Sequence, residues 1–131
     1  YSTPPLVKQW EDLVLEHGWA YGTGGTALHG KRLLSAISAG GPQRAYCADG
    51  YNRFSVRQLL APLEQTARLC GMEYLPPFVV FGTHGLEDER IRSAAAEYGR
   101  LIEALRDERV DLHRARETDC LPADASTVLR A

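Results

Sequence analysis

Apolar residues recur in the first part of the chain at the spacing of an amphipathic helix. The recurring positions are Leu6, Val7, Trp10, Leu13, Val14 and His17. Thr3 suits the N-cap, Pro4 suits the first helical position, and Gly18 is a typical C-terminal stop. The pattern therefore predicts a helix over residues 4–17.

Two later segments carry the same period. Ser55 and Gln58 form a capping box that opens a helix ending at Gly71, and Pro62 inside it predicts either a kink or a late start. The last helix opens with acidic residues, which the helix dipole favours at an N-terminus, namely Glu87, Asp88 and Glu89. Its apolar positions end near residue 107. We expect residues 108–131 to form a polar tail, a fraying helix extension followed by disorder.

Two short apolar runs without helical period predict buried strands. The first run contains Leu33, Leu34, Ala36 and Ile37, and the second covers residues 78–81. The order helix, strand, helix, strand, helix predicts an α/β fold with parallel strands and right-handed crossovers. Because two strands make only a small sheet, we expect this pattern to be part of a larger doubly wound domain.

Composition narrows the class of protein. Hydrophobic residues make up 44% of the 131 residues, which is enough for a packed core. The net charge of −2 and the lack of a basic stripe argue against a nucleic-acid partner, and no apolar run is long enough to span a membrane. Three widely spaced cysteines without metal-ligand spacing favour a reduced, cytoplasmic setting: Cys47, Cys70 and Cys120.

The candidate ligand site is the end of the first strand, where the apolar run stops at Gly40 and Gly41. Paired glycines leave backbone N–H groups bare, and ligands of open α/β sheets bind beyond the carboxyl ends of the strands. The same two residues would equally suit a simple turn. His84 follows the second strand, where it would either contact a ligand or serve only the structure.

Four motifs, in order, resemble a known family. They lie at residues 1–12, 18–22, 38–41 and 75–78. Together they resemble the flavin-dependent NAD(P)H:quinone oxidoreductases of flavodoxin-like fold, and among these the ancillary proteins of glutathione-regulated potassium-efflux systems. The resemblance covers residues 1–107. It implies the C-terminal part of a flavodoxin-like, doubly wound parallel sheet whose N-terminal strands are missing from this sequence.

The resemblance also implies cofactor-binding residues. Tyr1 and Ser2 would end a loop that lies along the flavin ring. A second set would contact the isoalloxazine from the next strand end, namely Ser38, Ala39, Gly40 and Gly41. The implied cofactor is FMN or FAD.

Catalytic and substrate-binding residues follow from the same resemblance. Tyr46 matches the tyrosine that stabilises the reduced flavin during hydride transfer. Distant relatives pair that tyrosine with a histidine, whereas this chain offers Asn52 as a hydrogen-bond donor. Trp19 and Tyr21 match rings that line the nicotinamide and quinone pocket, although loop aromatics equally often pack into the core.

The implied activity is two-electron, ping-pong hydride transfer from NAD(P)H to a quinone. The family resemblance further implies a homodimer that is cytoplasmic and serves a potassium/proton efflux antiporter at the inner membrane. The alternative is a non-catalytic regulatory binding module, or a truncated fragment, that docks on the antiporter. The missing phosphate-binding loop and the absent histidine favour that alternative.

Overall fold

The computed structural model describes residues 2–121, which fall into two compact units. One unit holds residues 2–33 and 58–74, and the other holds 34–57 and 75–121. Within this described part, no helix is both long and apolar enough to cross a bilayer. The elements are α1 Pro5–Val14, β1 Arg32–Leu33, β2 Ala36–Ala39, α2 Val56–Leu59, α3 Ala61–Leu69, β3 Glu73–Tyr74, β4 Phe78–Phe81, α4 Asp88–Arg106 and α5 Leu112–Arg116.

In the first unit, α1 is shorter than its apolar period predicts. Pro4, not Thr3, takes the N-cap position, and no side chain caps the helix. The helix ends at Val14, because Gly18 belongs to the following turn, where it adopts φ +83° and donates its N–H to the Tyr21 carbonyl at 2.7 Å. The buried residue of α1 is Glu11, which is only 8% exposed. The apolar face leaves its large side chains exposed instead: Leu6, Val7, Trp10, Leu13 and Val14.

The rest of the first unit is a two-stranded parallel sheet with α3. β1 and β3 pair in the register Arg32 with Glu73 and Leu33 with Tyr74. The helix predicted between Ser55 and Gly71 is divided at Leu60 into α2 and α3, and Pro62 lies in the first turn of α3. Gly71 follows α3 with φ +68°, as expected of a residue that ends a helix.

In the second unit, β2 and β4 pair in parallel from Ala36 with Phe78 to Ala39 with Phe81. This confirms the second predicted strand, whereas the first predicted strand is split, since residues 34 and 35 separate β1 from β2. β2 is not buried on both faces as its apolar run predicted. Ala36 and Ser38 are exposed, whereas their partner Phe78 on the same face of the sheet is buried against α4.

Residues 108–121 are folded, which differs from the polar tail expected there. Asp111 caps α5, and its carboxylate accepts the N–H groups of His113 and Arg114 at 3.1 Å each. The Leu121 N–H donates to the Pro77 carbonyl at 2.9 Å and bridges to β4. The resulting core consists of Phe78, Leu101, Ala104, Val110, Ala115 and Leu121. Residues 122–131 lie outside the described residues.

Arg57, at the start of α2, connects this C-terminal segment to another part of the same unit. Its guanidinium donates to the backbone oxygens of Arg116, at 3.3 Å, and Thr118, at 3.5 Å. These oxygens lie at the C-terminal end of α5, where carbonyl groups lack helical partners. The long-range contacts of the segment therefore include a charged side chain as well as the apolar core.

Candidate functional site at two strand ends

The carboxyl ends of β2 and β4 lie side by side, because the two strands pair in parallel and in register. Beyond the strands, the Gly82 N–H donates to the Gly41 carbonyl at 3.0 Å. Gly82 adopts φ +73°, a conformation that L side chains rarely take. This bond joins the two loops that follow the strands. The Gly40–Gly41 corner at the end of β2 and the turn at residues 83–85 after β4 therefore form one surface.

His84 packs against Gly40 on this surface. A Cβ atom built on Gly40 would overlap the imidazole ring, with Nε2 as the nearest atom. A side chain at residue 40 would therefore require the exposed His84 ring to move. The sequence singled out His84 but left its role open, since nothing in the sequence brings residue 84 to residue 40. The structure places it at the candidate site.

Tyr46 returns to the same corner. A short 3₁₀ turn at Gln43–Ala45 reverses the chain after Gly41. A Cβ on Gly41 would lie 3.4 Å from Tyr46 Cε2 and 3.6 Å from its hydroxyl oxygen, which is ordinary contact. The ring also packs against Phe81, with centroids 5.6 Å apart and planes tilted by 47°. The structure therefore places Tyr46 against Gly41, next to Gly40, and the flavin-binding and catalytic roles implied for these residues stay predictions.

Asn52 closes the loop that carries Tyr46. Its backbone N–H donates to the Ala45 carbonyl at 2.9 Å, one residue before Tyr46. Gly50 lies against the same backbone, since a Cβ there would come within 2.5 Å of the Arg44 carbonyl oxygen. A compact loop of this kind holds the tyrosine in place. A cavity of about 430 Å³ adjoins it, lined by Tyr46, Phe81, Arg44 and Cys47 among others.

Ser38 and Ala39 do not line one surface with the two glycines. Successive side chains of a strand point to opposite faces, and here Ala39 is buried while Ser38 is exposed. Ser38 instead lines what we call the apolar groove, which is formed by Ala36, Ile37, Ser38, Phe78, Val80, Thr83, Leu86, Ile91, Ala94, Ala95 and Tyr98. Any contact from Ala39 to a ligand at the corner would have to come from its backbone.

The remaining predicted site residues belong to the first unit. Trp19 is half exposed, and its carbonyl accepts the Ala27 N–H at 3.1 Å. Tyr21 packs edge-on against His17, with ring centroids 5.6 Å apart. Ser2 is exposed ahead of α1. Tyr1 lies outside the described residues. The roles that the resemblance implied for these four residues stay predictions.

Two cysteines, Cys47 and Cys120, line the cavity beside Tyr46. Burial, with a smaller effect from the Asp119 carboxylate, raises the pKa of Cys120 to about 11, which keeps this thiol protonated at neutral pH. Cys47 is exposed, and its Sγ lies 3.3 Å from the Arg44 carbonyl. Over residues 2–121, no three His, Cys, Asp or Glu side chains are grouped so as to hold a metal ion.

Comparison with known families identifies the fold to which these strand ends belong. The sequence model of a family described as having a flavodoxin-like fold matches residues 1–102. The chain belongs to this family. The assignment confirms the predicted fold class, together with the parallel strand pairs seen in both units.

Curated relatives of this flavodoxin-like chain are named as oxidoreductases and as ancillary proteins. The chain is 48% identical over 108 residues to the uncharacterized NAD(P)H oxidoreductase YrkL of Bacillus subtilis, covering 82% of this chain and 60% of YrkL. It is 47% identical over 98 residues to the glutathione-regulated potassium-efflux system ancillary protein KefF of Salmonella typhi, covering 75% of this chain and 54% of KefF. The chain thus spans little more than half the length of these relatives.

Solved structures give the same assignment. General stress protein 14 of Treponema denticola, in complex with FMN, is 49% identical with a TM-score of 0.58, over 60% of this chain and 45% of that one. An NADPH-quinone reductase of P. pentosaceus is 36% identical with a TM-score of 0.63, over 69% of this chain and 53% of that one.

A third solved structure carries a different name. It is described as a thermophilic tryptophan halogenase from Streptomycin violaceusniger and is 45% identical with a TM-score of 0.72, over 75% of this chain and 57% of that one. Its name differs in chemistry from those of the reductases. This likeness therefore supports the fold and carries no argument about the reaction.

Proposed function

We propose that the chain is part of a flavin-dependent NAD(P)H:quinone oxidoreductase whose flavin ring lies against Gly40, Gly41 and Tyr46. One observation carries the proposal. The paired glycines and the tyrosine meet at the carboxyl ends of two parallel strands, in a chain 49% identical to a protein in complex with FMN. That edge of the sheet is where open α/β folds bind their ligands.

The residues present fit a planar ring. Gly40 and Gly41 allow a flat group to approach bare backbone, and Tyr46 presents a hydroxyl beside them. Bound FMN would supply the two-electron hydride chemistry. Such chemistry would place negative charge near the strand ends. Hydrogen-bond donors that are already held in position stabilise such charge without rearrangement. Contact with Gly41 and Phe81 holds the Tyr46 hydroxyl in this way.

Asn52, Ser2, Trp19 and Tyr21 complete the proposed site. Asn52 fixes the loop that carries Tyr46, and we assign it a positioning role beside the hydrogen bond predicted from the sequence. We assign Trp19 and Tyr21 to the pocket for nicotinamide and quinone. Ser2, with Tyr1 before it, is assigned to the loop along the flavin. The proposed cofactor is FMN, since that flavin accompanies the Treponema relative.

The proposed biological role follows the KefF likeness. At 47% identity, KefF supports an ancillary role in glutathione-regulated potassium efflux. We therefore propose a homodimer on the cytoplasmic side of the inner membrane, attached through the antiporter that it serves. The name of the P. pentosaceus relative supports NADPH as reductant and a quinone as acceptor.

Reconstitution with flavin tests the proposal. The 131-residue chain is titrated with FMN and with FAD while flavin fluorescence is followed. The same titrations are made on the chain joined to the part of YrkL that lies outside the match. We expect the joined protein to bind FMN, and to oxidise NADPH when a naphthoquinone is added. A joined protein that stays colourless after exposure to both flavins would overturn the proposal.

A further inference from the structure

We propose that Arg44 and Arg53 form a phosphate-binding subsite for the reductant NADPH, in which Arg53 recognises the 2′-phosphate. This assignment rests on the proposed function, in which NADPH delivers its hydride near Tyr46. It concerns the part of the reductant that lies away from the reacting nicotinamide. It also names the residue that makes the chain prefer NADPH to NADH.

The loop that carries the two arginines holds their backbones side by side. The Asn52 N–H donates to the Ala45 carbonyl at 2.9 Å, which closes the loop. The Arg53 N–H donates to the Gly50 carbonyl at 3.1 Å, and Gly50 itself lies against the Arg44 carbonyl. Arg44 and Arg53 are therefore neighbours in space although they are well separated in the sequence.

Both guanidinium groups are available to an anion. Arg44 and Arg53 are exposed, and within residues 2–121 neither forms an ion pair, whereas other arginines of this stretch do. Asp49 lies in the same loop and Asp119 lines the same cavity as Arg44, but no ion pair joins either carboxylate to these arginines. Two neighbouring cations without partners attract a phosphate, which a planar guanidinium can bind through two parallel hydrogen bonds.

The order of groups on the loop matches the order of groups along NADPH. Arg44 lines the cavity of about 430 Å³ beside Tyr46, whereas Arg53 lies outside that cavity, next to Phe54. With the nicotinamide near Tyr46, the pyrophosphate meets Arg44 first and the 2′-phosphate meets Arg53. Phe54 is 54% exposed and offers a ring on which the adenine can stack.

The backbone of Arg53 also favours a role for its side chain. Arg53 adopts φ +58°, in the left-handed region that residues with a Cβ atom rarely occupy. A glycine would take this conformation without strain. Strained residues of this kind cluster at ligand-binding sites. The position of the Arg53 guanidinium gives a reason for placing arginine where glycine would fit the backbone better.

Binding of NADP⁺ and NAD⁺ to the full 131-residue chain tests the subsite without any turnover, because the two nucleotides differ only in the 2′-phosphate. Isothermal titration calorimetry measures both affinities. We expect NADP⁺ to bind at least tenfold more tightly than NAD⁺, and Arg53→Gln to remove this difference. Arg44→Gln should weaken the binding of both nucleotides. Arg92→Gln, at an exposed position of α4, is the control and should change neither affinity.

The same titrations on the protein joined to the YrkL segment show whether the subsite needs the rest of the fold. Equal affinities for NADP⁺ and NAD⁺ in both proteins would overturn the role of Arg53. FMN binding that Arg44→Gln weakens, with nucleotide binding unchanged, would also overturn the proposal, since the subsite would then hold the flavin phosphate. Circular dichroism should show equal folding of all variants.

Adenosine 2′,5′-bisphosphate separates the subsite from the flavin chemistry, because it carries the 2′-phosphate and no nicotinamide. We expect it to bind with the same dependence on Arg53 as NADP⁺. A joined protein that binds this probe but takes up no flavin would refute the proposed reductase and leave the subsite standing. A joined protein that binds FMN, and binds the probe equally well with and without Arg53→Gln, would refute the subsite alone.

Discussion

The imidazole of His84 fills the space into which a side chain at Gly40 would project. The constraint at Gly40 is the position of this exposed ring and not the backbone angles, since the φ of Gly40 lies outside the left-handed region. Gly82, two residues before His84, is the opposite case. It has φ +73° and no atom within 4 Å of a Cβ placed there. At this corner, Gly40 leaves space for the His84 ring, and Gly82 allows the backbone turn that leads to His84.

This relationship predicts that Gly40→Ala destabilises the strand ends. The added methyl must displace the His84 ring, and because that side chain is exposed and can turn toward solvent, we expect a loss of only about 1 kcal/mol. Thermal unfolding checks the loss of stability, and the flavin titration checks the site, where we expect at least tenfold weaker binding. The double variant with His84→Ala should recover most of the stability, because the ring that the methyl displaces is then absent.

Gly85→Ala is the matched control for that experiment. Gly85 lies in the same turn, and a Cβ there meets nothing within 4 Å. We expect its stability to stay within about 0.5 kcal/mol of the unaltered chain. If the two alanine variants behaved alike, the contact between residues 40 and 84 would not be what selects glycine.

Elements with a clear local signal could be predicted from the sequence, and the others could not. α4 begins at Asp88 among its acidic residues, and β4 is the apolar run at 78–81. β3 has only two residues, Glu73 and Tyr74, which is too short for a period. The period of α1 was recognised correctly, but it did not show that Glu11 would be the buried residue. Burial depends on what packs against a helix, and periodicity does not contain that information.

In the candidate site, too, local patterns could be predicted from the sequence, and contacts between distant residues could not. The Gly40–Gly41 corner was predicted because a strand that ends in paired glycines is a local pattern. The contact of His84 with Gly40 was not, since it depends on the pairing of β2 with β4 in one register. Val110, Ala115 and Leu121 reach the core from a segment without regular spacing, which is why residues 108–121 were expected to be a polar tail.

Leu121→Ala tests the core role of that segment. Leu121 is 3% exposed and bridges to Phe78, so its truncation should destabilise the chain by about 2–4 kcal/mol. Urea unfolding measures the change. Leu69→Ala, at an exposed leucine, is the control and should cost less than about 1 kcal/mol. Equal losses in the two variants would contradict the packing of residues 110–121 against β4.

The reactivity of Cys120 should depend on pH in a defined way. Burial raises its pKa from 9.0 to about 11, so the folded state favours the neutral thiol. The contribution of this thiol to the free energy of unfolding is therefore present in full below pH 9 and is lost as the pH rises toward 11. At pH 9 the folded chain should hold roughly 50-fold less Cys120 thiolate than the unfolded chain. Alkylation by iodoacetamide, followed at this cysteine by peptide mass spectrometry, should slow in proportion. In denaturant the difference should vanish, and a rate equal in both states would show that the thiol is not buried.

Tyr46→Phe separates the hydroxyl of the proposed site from its ring. The phenylalanine keeps the packing against Phe81 and Gly41, so stability and FMN affinity should change little. Removing one preorganised donor near developing charge typically slows a reaction about 10²–10³-fold, and we expect the lower end because backbone N–H groups remain. Stopped-flow reduction by NADPH in the joined protein measures this step. Tyr51→Phe is the control in the same loop, because Tyr51 is 90% exposed and its hydroxyl should not matter. Unchanged reduction by the Tyr46 variant would remove this tyrosine from the proposed catalytic role while leaving its packing role intact.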